Sequence, residues 1–582
     1  MKLEGPLLVV ASLFCSFAAA QQAEVSRFHQ AAVVEIVSFE VAVADDHGPV
    51  LGLTPADFRV LHDGKPVELS NFAYYRRTDD GRTRAMTEES TKTDVAGVGD
   101  LVVEERPGLS LYFYVDNDNL SPGTRGRVLD GALEFVRTRL GPRDRVAVVY
   151  NEGSPKVAQG LTENREEVAS ALQRLRDRSG GRSIANAERL QAIVDVQRTA
   201  QEVRALANST RMRPSLEQKI EAMAQSALNE VRSFEQTERL ATRNATRGVR
   251  AMVTAMSGLP GRKALVYVSD GLPNTPGQAA YRAFEQAFRD VPFVRNQLND
   301  VRMYRTAEGS EQGVFDEVVT SAAAAGVAVF TIDARGLVAP GHAESMGDPS
   351  ESWSDEVRNY QEPLQRIAVE TGGSAFVNGN DFRAGLDQFA RELDGYYLLG
   401  YPLPGPRRKP VHTVEVELVD RRGCRLSYRQ RFVERSLPAL VEDRVLAALS
   451  FDPNENPLGI SAALGTPKEG SSKTWDLPVR IKVPIGRLAL LPEGDQMVGQ
   501  VTAYYVTRDG DNRQSALHRS DHRVAVPRAE YESARRKTWP ITTTLVVKPG
   551  SYRIAVGVRE ELTGVAGYAT LTVPADALSR GH

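Results

Sequence analysis

Two carboxylates, Asp116 and Asp118, stand one residue apart directly after an apolar run, Leu109-Ser-Leu-Tyr-Phe-Tyr-Val115. A run of that length, stopped by turn residues, predicts a strand buried on both faces. In an open parallel sheet, ligands bind just beyond the carboxyl ends of strands. Two carboxylates at such a point repel unless a cation or a shared proton relieves them. Thr162, in Gly160-Leu-Thr162, and Asp270, in Val268-Ser-Asp-Gly271, are expected at two further strand ends.

The elements that must position these residues alternate between strand and helix. Strands are predicted at 109–115, 145–150, 264–269, 326–332 and 374–377. Helices are predicted at 124–140, 163–176, 246–257, 315–325, 361–371 and 381–394. This alternation argues for a doubly wound, mostly parallel α/β domain over 108–395. A long helical insertion interrupts it at 183–245. Ile193, Val196, Ala200, Val203 and Ala207 follow three-four spacing, as do Leu216, Ile220, Met223, Ala227, Val231 and Phe234 after Pro214. That predicts an antiparallel helical hairpin with Pro214 in the first turn of its second helix. It is expected to pack on its own domain rather than to form a partner-binding arm. A second insertion, 273–312, is placed over the loop face.

β-Structure flanks this domain. Val37, Phe39, Val41 and Val43 alternate with smaller or polar residues, and Asp63-Gly64 is a hairpin signal within the segment 25–77. Residues 78–107 are polar and predict a linker. Val414, Val416 and Leu418 alternate in 396–435, a segment expected to pair with 25–77, so that the α/β domain would be an insertion in a β-domain. A short helical link and a β-sandwich-like domain are predicted for 436–582.

The chain has 582 residues and a formal charge of −3, which suits several globular domains and gives no argument for nucleic acid. Lys2, the apolar stretch Leu7–Ala18 and Ala18-Ala19-Ala20 predict an export signal cleaved before Gln21. No other stretch is long and apolar enough to span a bilayer. Secretion or a periplasmic location follows as the expectation. Cys424 would then be the only remaining thiol, so large cores rather than a disulfide must hold the domains. In a strand-like run, it is expected to be a buried small hydrophobe.

The arrangement resembles the von Willebrand factor type A (VWFA) fold, and more closely a VWFA-related, acidobacterial-type family of exported bacterial proteins. The likeness covers roughly 30–435. It rests on Leu53-Thr-Pro-Ala-Asp-Phe58 with Asp63-Gly64-Lys65, Gly261–Gly271, Gly326–Asp333, Thr371-Gly-Gly373 and Tyr396-Tyr-Leu-Leu-Gly-Tyr401. The resemblance implies a metal-ion-dependent adhesion site, with motif Asp-x-Ser-x-Ser, a Thr and a further Asp. By position, Asp116, Thr162 and Asp270 match. Asp118 replaces the first Ser and Leu120 the second, with Ser121 one residue late. A magnesium or calcium ion held by Asp116, Asp118, Thr162 and Asp270 is the implied cofactor, with calcium favoured by the extra carboxylate; the alternative is a vestigial site in a structural envelope protein, with Asp116 capping the following helix and Asp118 solvated.

The expected function is therefore non-enzymatic: interaction with an unidentified protein or envelope ligand through the loop face. A rival reading also starts from the apolar strand and Asp-x-Asp. It is a magnesium-dependent, haloacid-dehalogenase-like phosphatase, with Asp116 as nucleophile, Asp118 as general acid and Ser269 holding phosphate. His518 and His522 have helical metal-ligand spacing, but the residues around them suggest a surface turn.

Overall fold

The computed structural model describes residues 36–578, except 46–47, 78–82, 87–107, 179–181, 210–212, 260, 305–308, 338–350, 404–409, 420, 422, 450–455, 471–473 and 512. The expected signal segment 1–20 and most of the linker 78–107 lie outside the described residues.

The first strands are β1 (Ile36–Asp45), β2 (Gly48–Pro49), β3 (Phe58–His62), β4 (Lys65–Val67), β5 (Asn71–Arg77) and β6 (Thr83–Met86). Residues Asp63 and Gly64 turn the β3–β4 hairpin with φ of 49° and 74°, the left-handed values that Asp and Gly tolerate best. β6 pairs with β5, so part of the segment expected to be a linker is strand.

The α/β part follows. Its elements are β7 (Ser110–Val115), α1 (Pro122–Thr138), β8 (Arg145–Glu152), β9 (Ser154–Thr162), α2 (Arg165–Arg176), α3 (Arg182–Ser209), α4 (Pro214–Met256), β10 (Lys263–Ser269), α5 (Gln278–Phe288), α6 (Arg295–Met303), α7 (Gln312–Ala325), β11 (Val327–Asp333), α8 (Glu351–Glu370), β12 (Ala375–Phe376) and α9 (Phe382–Asp394). The sheet order is β12-β11-β10-β7-β8-β9. All pairings are parallel except that of β9, which returns antiparallel on the edge.

Both faces of this sheet are covered, because successive strand residues point to opposite sides. Leu111, Phe113 and Val115 pack with α1, α2 and α9. Tyr112 and Tyr114 pack with α4, α7 and α8. A strand buried on both sides needs an unbroken apolar run, which β7 has.

α4 departs from the expected pattern. It is one helix of 43 residues rather than an insertion helix followed by a separate core helix. At about 1.5 Å per residue it is about 65 Å long, much longer than the strands. Its carboxyl half, including Ala245, Val249 and Val253, packs on the sheet. Its amino half, including Ile220, Leu228 and Val231, belongs to a separate cluster with α3, α5 and α6. The chain runs from α4 back into β10, so this amino half projects past the carboxyl ends of the parallel strands. The two insertions therefore join into one helical head.

The chain then returns to β-structure with β13 (Gly395–Pro402), β14 (Val411–Leu418), β15 (Arg425–Tyr428) and β16 (Arg431–Val433). β13 lies between β1 and β5, and β14 lies between β3 and β16. Val37, Phe39 and Val60 from before the α/β part share one cluster with Leu399, Tyr401 and Val414 from after it. The α/β part is thus inserted in a two-sheet β-unit. Cys424 is half-buried against that cluster.

α10 (Leu437–Ala448) leads into the last region. There, β17 (Ser461–Leu464), β18 (Lys468–Glu469), β19 (Trp475–Pro484), β20 (Leu491–Glu493), β21 (Gln496–Asp509), β22 (His518–Pro527), β23 (Thr538–Val547), β24 (Tyr552–Glu560) and β25 (Ala566–Val573) form two antiparallel sheets. Leu477, Ile481, Val501, Ile554 and Val556 from both sheets share one apolar cluster. His518 and His522 lie on strand β22, not on a helix or turn, and His522 Nε2 is 2.9 Å from Ser520 Oγ.

Candidate functional site at the sheet rim

β7 delivers Asp116 to the carboxyl rim, and a single 3-10 turn, Asn117–Asn119, follows. The Asp116 N–H continues the sheet by donating to the Val268 carbonyl, 2.9 Å away. Its carboxylate is fully buried. One oxygen accepts from Asn119 Nδ2 at 2.8 Å, from the Tyr267 hydroxyl and from Ser269 Oγ at 3.4 Å. The other accepts from Asn151 Nδ2 at 3.4 Å. Burial pushes the Asp116 carboxyl above the usual range, the Tyr267 and Asn119 donors oppose this, and the Asp118 charge adds to it. Burial and the Asp116 charge likewise raise the Tyr267 hydroxyl.

Asp118 turns toward the β8–β9 hairpin. Its Oδ2 accepts from Asn151 Nδ2 at 3.0 Å and from the Gly153 N–H at 2.8 Å. Asn151 therefore bridges the two carboxylates, giving a neutral remedy for their repulsion. Asp270 closes the loop from the other side. It accepts from the Ser121 N–H at 2.9 Å, the Ser121 hydroxyl and Thr124 Oγ1 at 3.0 Å, while its own N–H donates to the Asn119 carbonyl at 2.9 Å.

Thr162 is not brought to this rim. It pairs with Val146, which pairs with Leu111. Asp116 is five residues further on, about 16 Å along the strands at about 3.3 Å per residue. The reason is the antiparallel course of β9, which ends where its parallel neighbours begin. There the Thr162 hydroxyl accepts from the Asn164 N–H, and Asn164 caps α2. Leu120 is buried in the core beneath α1. Ser121, one residue past the motif position, takes the polar place beside Asp270. The signal available in sequence was Pro122: a residue before a Pro that opens a helix is extended and well placed as a cap.

The residues as placed do not fit a divalent ion. Each carboxylate is engaged by neutral donors. Among the described residues, the one group of three or more His, Cys, Asp or Glu side chains with ligand atoms within 4.8 Å of one another lies in the β-unit, not at this rim.

The rim is also roofed. Tyr360 of α8 packs on Gly271, where a Cβ would come within 2.8 Å of the Tyr360 carbonyl oxygen. Asn359 Oδ1 accepts from the Thr275 N–H at 2.7 Å. Glu311, just before α7, pairs with Arg239 and Arg243 of α4 at 2.6 and 2.9 Å. Beneath this roof, Gly248 of α4 faces Tyr114, whose buried hydroxyl has no hydrogen-bond partner among the described residues. A Cβ at 248 would collide with that hydroxyl. Gly248→Ala is expected to cost about 1–3 kcal/mol. Tyr114→Phe alone should change stability by less than about 1 kcal/mol, because it removes an unsatisfied group. Denaturant melts of both variants and of the double variant check this, with the double variant expected to recover most of the loss.

No protein-family model matches the chain, and no curated protein matches it. Among solved structures, it is similar to an aerotolerance-related membrane protein from Bacteroides fragilis, with 12% identity over 49% of this chain and 97% of that one, at a TM-score of 0.21. The BatB protein from Bacteroides thetaiotaomicron gives 14% identity, 49% and 96% coverage, and a TM-score of 0.19. A von Willebrand factor type A protein from Catenulispora acidiphila gives 10% identity, 93% and 75% coverage, and a TM-score of 0.21. Likeness this slight carries no weight for function. The class is defined by strand order alone: a mixed α/β chain with a doubly wound, mostly parallel sheet.

Proposed function

We propose that this is an exported, VWFA-like interaction protein that meets another macromolecule through its helical head, without an ion at the sheet rim. The observation that carries the reading is the roofed rim. At the edge where an open α/β sheet binds ligands, the polar groups hydrogen-bond one another and a helical head stands above them. Recognition therefore falls to the outside of the head. Leu190 and Val194 on α3, four residues apart and 48% and 45% exposed, form an apolar pair there.

The phosphatase reading finds no support in the geometry. Asp116 and Ser269 are fully buried, and a nucleophile must reach substrate. Asp333, at the end of β11, is bound by Arg335 and Gln361. Export rests on the signal-like first twenty residues. No described helix is long and apolar enough to cross a membrane.

A photocrosslinking side chain placed at Leu190 or Val194 in cells tests the proposal. A discrete adduct from these positions, and none from Val546 on the last domain, is expected. Adducts from Val546 with none from the head would overturn it. Magnesium-dependent phosphatase turnover that disappears in Asp116→Asn would overturn the non-enzymatic half.

A further inference from the structure

The β-unit holds a second cluster, distant in sequence and unconnected with the rim. His62 ends β3, Asp63 opens the hairpin turn, and His412 is the second residue of β14. β14 pairs with β3 so that Val414 lies opposite His62. His412, two residues along, therefore projects from the same face as His62. His62 Nε2 lies 3.1 Å from His412 Nδ1, and Asp63 Oδ2 lies 3.0 Å from the same His412 nitrogen. The three ligand atoms are all within 4.8 Å of one another.

We infer that His62, Asp63 and His412 form a binding site for a divalent transition-metal ion of the zinc type. Three features converge on this. The first is distance. Bonds of about 2.0–2.1 Å to a tetrahedral ion place neighbouring ligand atoms about 3.3–3.4 Å apart, close to the two separations above. The second is the protons. His412 Nδ1 faces both an imidazole nitrogen and a carboxylate oxygen, and one proton there can satisfy only one of them. A cation between the three satisfies all.

The third is the partner on the far side of the His62 ring. Ligating histidines characteristically donate their other N–H to an oxygen, which fixes tautomer and orientation. His62 Nδ1 has such a partner, the Tyr401 hydroxyl at 2.8 Å, whereas His412 Nε2, 3.3 Å from Glu434 Oε1, makes no hydrogen bond among the described residues. Both histidines are buried, whereas the Asp63 side chain is 29% exposed. The fourth position thus opens toward solvent on the Asp63 side, where water completes the tetrahedron. The ion would join the β3–β4 hairpin to β14, a staple in a unit whose one described cysteine is free.

Cobalt(II) titration of the full chain, followed by the visible absorption of tetrahedral cobalt and by displacement with zinc, tests the inference. One equivalent should bind, and zinc should raise the Tm. His62→Gln should weaken binding at least 100-fold. Tyr401→Phe, which keeps all three ligands and removes the hydroxyl beside His62 Nδ1, should weaken it about 10–100-fold, and Asp116→Asn should leave it unchanged. If the wild-type chain binds no cobalt or zinc at tenfold excess, the inference fails whatever the variants do. Undiminished binding in a folded His62→Gln variant, or loss of binding in Asp116→Asn, would also overturn it.

Discussion

Asp116→Ala is expected to lower stability by about 3–5 kcal/mol, because it leaves the Asn119 and Tyr267 donors buried without their acceptor, while Asn151 keeps only Asp118. Asp116→Asn should be much milder, since an amide of the same shape can still accept one of these bonds and the Tyr267 and Ser269 hydroxyls can turn to accept from it. The two variants also differ in pH dependence. Burial raises the Asp116 carboxyl above its unfolded value near 3.8. A carboxyl raised in the folded state favours the protonated fold. Its contribution is full below the unfolded value and is lost as pH rises through the folded one. Thermal melts from pH 4 to 8 should show Asp116→Asn losing less stability with rising pH than the wild type. A steeper fall in the variant would contradict the buried carboxylate described here.

The second large effect is expected at the opposite end of the sheet. The Asp144 side chain is fully buried and accepts from Arg77 Nη1 at 2.7 Å, the Gly141 N–H at 2.7 Å and the Leu109 N–H at 3.2 Å. Arg77 ends β5 of the β-unit and also donates to the Arg139 carbonyl at 2.9 Å. One carboxylate thus fixes the start of β7, the turn after α1 and the neighbouring β-unit. Its charge is costly to bury, which pushes the Asp144 carboxyl up against the pull of Arg77. Asp144→Ala leaves the Gly141 and Leu109 N–H groups without their acceptor and Arg77 with Asp394, 2.8 Å away, as its one carboxylate among the described residues, which should cost about 2–4 kcal/mol. Calorimetry is expected to show the β-unit and the α/β part melting together in the wild type and at separate temperatures in the variant. A variant that melts as one transition at the wild-type temperature would show that Arg77 and Asp144 do not hold the units together.

The parts of the fold that depend on local pattern were legible. Unbroken apolar runs at β7 and β10, too short for helices and bounded by turn residues, mark strands buried on both faces, and three-four spacing marks α3 and α4. What the pattern could not show was continuity across elements. Nothing between Phe234 and Thr246 breaks a helix, yet the apolar face changes partners there, from the head to the sheet, so the pattern alone predicts two helices. The site was legible where it lay on strand ends, at Asp116 and Asp270. It failed at Thr162, because strand direction is a tertiary property: an antiparallel return puts a residue at the wrong end of the sheet without changing its local sequence. The His62–His412 cluster lies 350 residues apart in sequence and has no motif. Only the pairing of β3 with β14 brings it together.

The acidic rim is closed by its own neutral donors. Calorimetric titration of magnesium and calcium into the His62→Gln chain, with and without Asp116→Asn, tests it most directly. Identical, featureless titrations are expected for the two proteins at millimolar ion. Saturable binding of one ion that vanishes with Asp116→Asn would contradict it.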